Sequence, residues 1–167
     1  MFSFEKDSWK IISKNNRAYA NFIDLSKAFN LVNHKILLKK LENFKVPKDI
    51  IKILSSYLKF QSARIKFRGH IGEFHDITRG VRQGGILSPI LFKLYIDSLI
   101  NDISSMDIGC KLGISCINIL TYADDIVLLS NSAETLNKKY IKFETNIMNL
   151  KLKINANKSK IIYLHFG

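Results

Sequence analysis

Two apolar runs meet at a pair of acids: residues 117–130 read INILTYADDIVLLS, and Ala123-Asp124-Asp125 interrupts an otherwise water-avoiding stretch. Apolar, β-branched runs on both sides of a polar pinch predict two strands joined at the acids. The segment YANFIDL (19–25) reads as another strand, and it too ends on an acid, Asp24. Most of the 14 acidic residues sit among polar neighbours, as solvated charges do, and these three do not. Burying a carboxylate costs several kcal/mol unless it is paired or metal-bound, and adjacent carboxylates raise each other's pKa. A divalent cation relieves that conflict, because Mg²⁺ takes oxygen ligands and keeps waters and substrate phosphates in its shell.

Singly, each acid has an ordinary explanation. Asp24 fits a strand-end residue that caps a loop, and Asp124-Asp125 fits a polar hairpin turn. Together, strand-end carboxylates one hundred positions apart converge on one metal pair if their strands are neighbours. Two ions ~3.5–4 Å apart would activate an attacking 3′-oxygen and stabilise a leaving pyrophosphate.

The rest of the chain supplies a frame for such a site. Leu37, Leu41 and Phe44 recur at helical spacing over 34–45, and Pro47 starts a second helix whose Ile50, Ile53, Leu54 and Tyr57 share a face. Residues 62–67 and 73–78 predict a hairpin turning through Arg68-Gly69-His70. The loop GVRQGG (80–85) leads to Ser88-Pro89, an N-cap and first-turn pair that opens a helix to about Ile100. Leu136, Tyr140, Phe143, Ile147 and Leu150 mark the last helix, and SKIIYLHF (159–166) a final strand. The order β-α-α-β-β-α-β-β-α-β predicts an α+β fold, an antiparallel sheet backed by helices on one face.

Composition narrows the class. With 47% hydrophobic residues among 167, the chain is no disordered tail and has enough apolar material for one domain. No run approaches the ~18 apolar residues of a membrane span, and MFSFEKDSWKIISKNN lacks the apolar core of a signal peptide. Cys110 and Cys116 form neither a disulfide framework nor a zinc-finger spacing, so a reducing intracellular setting, nuclear or cytoplasmic, is expected. Lys and Arg number 26 against 14 acids, a net charge of +12, and residues 1–83 carry +10 of it (17 basic, 7 acidic). Such a charge favours polyanionic partners such as nucleic acid, although Lys-rich solvated surfaces of AT-rich genomes look similar.

Four blocks in order, FIDLSKAFNLVNH (22–34), GVRQGGILSPILFKLYID (80–97), TYADDIVLLS (121–130) and LKINANKSK (152–160), resemble the palm of a reverse transcriptase of the non-LTR retrotransposon type. The resemblance runs over residues 18–166 and implies a polymerase palm-like antiparallel sheet backed by helices. It makes Asp24 the first metal-binding aspartate and Asp124 the second, with Asp125 the further acid of the YADD turn, for two Mg²⁺ (Mn²⁺ as an alternative), and the Leu25 carbonyl a further ligand. Phe29 matches an aromatic gate that leaves no room for a 2′-hydroxyl and so selects dNTPs. Gln83 and Gly84 match the loop that meets the incoming nucleotide, and Tyr122 a residue beside the primer terminus. Lys158 matches the lysine that protonates leaving pyrophosphate. Ser88, in the second block, is assigned to helix capping.

Three positions depart from the pattern: Asn30 replaces a second aspartate, Arg82 a frequent proline, and Lys45 a frequent glycine. The resemblance also implies missing parts. Residues 1–18 would be a remnant of the fingers and 19–167 the palm, with the fingers mostly missing and thumb and endonuclease absent. The expected function is RNA-directed DNA polymerisation on an RNA template and DNA primer, with no membrane partner. Two alternatives stand beside it: a non-catalytic nucleic-acid-binding remnant, and an RNA-copying RNA polymerase, which Phe29 opposes.

Overall fold

A computed structural model describes residues 11–12, 17–106, 109–112 and 115–165. In chain order these form β1 (Ile11–Ile12), β2 (Arg17–Ile23), α1 (Ala28–Leu31), α2 (His34–Asn43), α3 (Lys48–Lys59), β3 (Ser62–Ala63), β4 (Lys66–Phe67), β5 (His70–Ile71) and β6 (His75–Asp76). They continue as α4 (Ser88–Ser104), β7 (Cys110–Leu112), β8 (Ser115–Ile117), β9 (Ile119–Tyr122), β10 (Asp125–Ser130), α5 (Ala133–Asn149) and β11 (Lys160–His165). Chain contacts divide them into two compact units: one of residues 1–26, 98–149 and 153–167, the other of 27–97 and 150–152.

The first unit is built on an antiparallel sheet in the order β11-β2-β10-β9. β2 lies between β10 and β11, with Ile23 opposite Ile126 and Tyr19 opposite both Ser130 and Tyr163. Period-two geometry puts Asn21 and Ile23 of β2 on one face with Ile126 and Leu128 of β10, and all four are buried. α5 covers this sheet with Leu136, Phe143 and Ile147. Its start is capped by Ser132, whose Oγ accepts the Thr135 N–H at 3.2 Å. A smaller sheet, β1-β7-β8, completes the unit and was not expected from the sequence.

One residue breaks α5's apolar pattern. Lys139 is fully buried, and its Nζ donates to Asn118 Oδ1 at 2.9 Å and to the Leu129 carbonyl at 2.5 Å. The Asn118 amide in turn donates to the carbonyls of Ser104 and Met106. Burial pulls the Lys139 amine down from 10.5 to about 8.

The second unit holds α1–α3, the hairpin of β3–β6 and the first part of α4, around Leu37, Leu41, Leu58, Phe92, Tyr95 and Ile96. The buried Tyr95 hydroxyl donates to the Leu150 carbonyl and accepts the Asn33 N–H at 3.2 Å. Burial raises its pKa. The Asn33 side chain caps α2 through the Ile36 N–H.

Several boundaries differ from the sequence reading. The strand expected over 19–25 runs over Arg17–Ile23, and Leu25 keeps only a single bridge to Ile154. α2 stops at Asn43 because Lys45 turns left-handed at φ 56°, where glycine is at home. α3's expected inner face is mostly outside: Ile50, Ile53 and Tyr57 are exposed, and the buried residue is Leu58. The expected hairpin forms as two short ladders, β3 with β6 and β4 with β5. Ser88 is already helical, and its hydroxyl donates to the Arg82 carbonyl at 2.5 Å instead of accepting a capping N–H. α4 continues past Ile100 to Ser104. Of the last strand, Phe166 lies outside the described residues.

Candidate active site

The β2–β10 register decides which acids can cooperate. Paired positions are Ile23 with Ile126, Phe22 with Val127 and Asn21 with Leu128, and Asp24 and Asp125 are the next residue on each chain beyond that end of the ladder. Asp24 and Asp125 line a cavity of about 550 Å³ with Phe22, Val127 and Lys158. Asp124 occupies the two-residue turn with Ala123, whose φ is 54°, and does not line that cavity. Asp125 therefore starts a strand and is not a turn residue, a one-position correction that changes which acid faces Asp24.

The acids are also less enclosed than their apolar surroundings in sequence suggest: Asp125 is exposed, and Asp24 and Asp124 are half-buried. Strand-end residues lie where the sheet's apolar cover stops, so water reaches them.

Segment 152–160 fixes Asp24 in place. Its backbone N–H donates to Ser159 Oγ at 3.2 Å, and its carbonyl accepts the Asn155 N–H at 2.8 Å. Ser159 Oγ donates in turn to the Asn155 carbonyl at 2.9 Å, which also receives the N–H groups of Lys158 and Ser159. This turn carries the exposed Lys158 to the carboxylate cavity. The bonds flanking the Leu25–Ile154 bridge run from Ser26 N–H to Lys153 O and from Asn155 N–H to Asp24 O, so that pairing does not consume the Leu25 carbonyl. Ser159 and Asn155 were not singled out from the sequence, although both lie inside the LKINANKSK block.

Tyr122 pairs directly with Asp125 across the hairpin end and is 83% exposed, which excludes a buried strand tyrosine. Phe29, Gln83 and Gly84 belong to the second unit. Phe29 is half-buried, its ring tilted on Phe92 at 4.9 Å, and its carbonyl accepts the Val81 N–H. Gln83 is exposed; Gly84 has φ 79° and open space where a Cβ would stand, so backbone conformation and not crowding calls for glycine there.

Among the described residues no three His, Cys, Asp or Glu side chains gather as a metal-holding group. The donor set still suits Mg²⁺, which binds through one or two carboxylates and fills its octahedron with water and phosphate oxygens. Asp24 and Asp125, the adjacent Asp124 and the Leu25 carbonyl are oxygen donors of that kind.

The four-stranded antiparallel sheet with its covering helix is the arrangement of a palm-like fold. The profile of the family described as reverse transcriptase (RNA-dependent DNA polymerase) matches residues 3–165, and the chain belongs to that family. It is 31% identical over 140 residues to the Pol polyprotein of the type-2 retrotransposable element R2DM of Drosophila melanogaster, covering 84% of this chain and 13% of that polyprotein. It is 27% identical over 151 residues to the RNA-directed DNA polymerase from the mobile element jockey, also of Drosophila melanogaster, covering 86% of this chain and 16% of that protein. These relatives place it with the non-LTR retrotransposon type. In fold it is similar to apo telomerase from Candida tropicalis, with a TM-score of 0.68 and 19% identity over 93% of this chain and 32% of that one. No helix among the described residues is long and apolar enough to cross a membrane.

Proposed function

We propose that the chain is the palm of a longer RNA-directed DNA polymerase that works inside the cell. It would join a dNTP to a DNA primer annealed to an RNA template. The observation that carries this reading is that Asp24 and Asp125, each one residue beyond the same end of the β2–β10 ladder, line one cavity with Lys158.

In the reaction the primer 3′-oxygen forms a bond to the α-phosphorus while the bond from that phosphorus to the bridging oxygen breaks, and pyrophosphate leaves. Divalent ions, when bound, lower the pKa of the attacking hydroxyl and neutralise the leaving group. Asp24, Asp125 and Asp124, with the Leu25 carbonyl, would hold them. Ser159 and Asn155 keep Asp24 from swinging with the strand end. Lys158, exposed above the cavity, would give its proton to the departing pyrophosphate. Phe29 would exclude a 2′-hydroxyl, Gln83 and Gly84 would meet the incoming nucleotide, and Tyr122 would pack beside the primer end.

The test is primer extension on RNA by the wild-type chain and by Asp24→Asn and Asp125→Asn. Each change keeps side-chain size and removes a charge. The expected result is Mg²⁺-dependent incorporation that falls by at least about a hundredfold in either variant, the scale of losing one stabilising group at a reaction centre. Equal incorporation by mutant and wild type refutes the assignment.

A further inference from the structure

We propose that a cavity between the sheet and α5 binds the adenine base of a free nucleoside, a site apart from the carboxylates and independent of the polymerase reading. Alternation along β2 turns Tyr19, Asn21 and Ile23 toward α5, while Phe22 lines the carboxylate cavity on the opposite face. Beside β2, toward the edge strand β11, α5 no longer covers the sheet closely. A cavity of about 440 Å³ is left there, lined among others by Tyr19, Asn21, Leu136, Tyr140, Lys160 and Ile161. Every one of these belongs to the first unit. The volume falls within the ~300–1,000 Å³ of small-ligand sites.

Asn21 is the residue that points to a ligand. It is 4% exposed, and among the described residues no hydrogen bond reaches its side-chain amide. Its backbone is taken up by the ladders to Leu128 and Ile161. Its buried neighbours on the same face, Ile23, Ile126 and Leu128, are apolar, and asparagine is a poor strand residue. A buried amide without a partner costs free energy that a leucine at that position would save. The fold therefore gains nothing from Asn21, and a molecule in the cavity does.

The lining indicates which molecule. An amide sets one acceptor beside one donor, so its complement carries a donor beside an acceptor on a rigid edge. Adenine has that edge in its 6-amino group and N7, the pair that asparagine meets bidentately. Guanine offers two acceptors there and would leave the Asn21 carbonyl opposed. Tyr19 and Tyr140 are half-buried and supply ring surface, and Leu136 and Ile161 supply apolar walls, as an uncharged flat base requires. No carboxylate lines the cavity, and the exposed Lys160 stands where a nucleoside's sugar side would meet water. Ser159 also lines it, so an occupant lies behind the clamp on Asp24.

Saturation-transfer NMR on adenosine with the full chain in EDTA tests this. A nucleoside without phosphate, in the absence of metal, keeps the carboxylate cavity out of the measurement. Wild type is expected to bind adenosine, and to bind purine riboside, which lacks the 6-amino donor, at least about tenfold more weakly. Asn21→Leu keeps the volume and removes the amide; it should weaken adenosine binding by a similar factor and melt no lower than wild type. Ile161→Trp alters an exposed edge-strand residue, leaves the core alone and fills the cavity, so it should abolish binding. Absence of adenosine binding at millimolar concentration overturns the proposal. So does purine riboside or uridine binding as well as adenosine, or Ile161→Trp binding like wild type. An Asn21→Leu chain that melts well below wild type overturns it too, because the fold would then need the amide. Primer extension is not read in any of these arms, so their outcome leaves the polymerase reading to its own test.

Discussion

Lys139 gives the first unit a pH dependence that can be worked out in advance. Its amine titrates at about 8 in the folded chain instead of 10.5, because burial disfavours the charged form. Below pH 8 both folded and unfolded states hold the proton, and the fold bears the full cost of a buried charge, about 3 kcal/mol at ~1.4 kcal/mol per unit. Between 8 and 10.5 the unfolded chain keeps a proton that the folded one has released, so stability rises with pH. From pH 7 to 9.5 the gain comes to about 2 kcal/mol, with the rest recovered above that. The neutral amine still has two N–H groups for Asn118 Oδ1 and the Leu129 carbonyl, so deprotonation costs no hydrogen bond. Lys139→Met removes the titration and nearly preserves the volume. Denaturant unfolding of both proteins at pH 7 and 9.5 should show wild type gaining about 2 kcal/mol relative to the variant. Tyr95, whose raised pKa acts oppositely above pH 10, is common to both and cancels; Cys110, whose thiol burial pushes up and which is coupled to Lys139, also acts oppositely, so both proteins are compared in a Cys110→Ala background. Parallel pH profiles would refute the reasoning and mean that water reaches the amine.

Three further outcomes follow from named contacts. Ser159→Ala deletes the acceptor for the Asp24 N–H and the donor to the Asn155 carbonyl; it should cost about 1–2 kcal/mol, seen as a few degrees in a thermal melt, and lower primer extension further, with Ser159→Thr largely restoring both. Gly80 has φ 93° and its added Cβ would stand 2.9 Å from the Asn30 backbone, whereas Gly84 has φ 79° and open space. Gly80→Ala should therefore lower stability by about 3 kcal/mol and Gly84→Ala by about 1 in the same melt. Lys45→Gly relieves a left-handed lysine at the end of α2 and should raise the melting temperature by an amount worth about 0.5–1 kcal/mol.

Local patterns were legible in the sequence to the extent that they are written in short range. The four-three spacing of Leu136, Tyr140, Phe143, Ile147 and Leu150 found α5 because one helical stripe meets one sheet. The pinch at Ala123 found the β9–β10 turn. Which strand lies beside which was not legible, because a period of two names a strand's faces and says nothing of its partner. The β2–β10 pairing that sets Asp24 against Asp125 was reachable only through the family resemblance. Lys139 escaped notice because lysine is almost never fully buried without a partner, and its acceptors come from β10 and the β8–β9 junction. The face of α3 misled for the opposite reason: Ile50, Ile53 and Tyr57 have the spacing of a core stripe and remain in solvent.

The site depends on parity more than on any single contact. Paired residues of β2 and β10 have numbers that sum to 149, and 24 and 125, the next positions beyond the ladder, obey the same sum and line one cavity. A slip of one residue would turn the core side chains Ile126 and Leu128 to the opposite face and carry Asp125 away from Asp24. The apolar residues that hold the sheet together thus also keep Asp24 and Asp125 off the core face that buries Ile23, Ile126 and Leu128, and the particular pairings of the ladder set where along the sheet each acid stands. The clamp from Asn155 and Ser159 acts at the one place this argument leaves open, the strand end beyond Ile23 where ladder bonds stop. Sheet packing thus chooses the face and register of the carboxylates, and the 152–160 turn fixes the last residue that packing cannot reach.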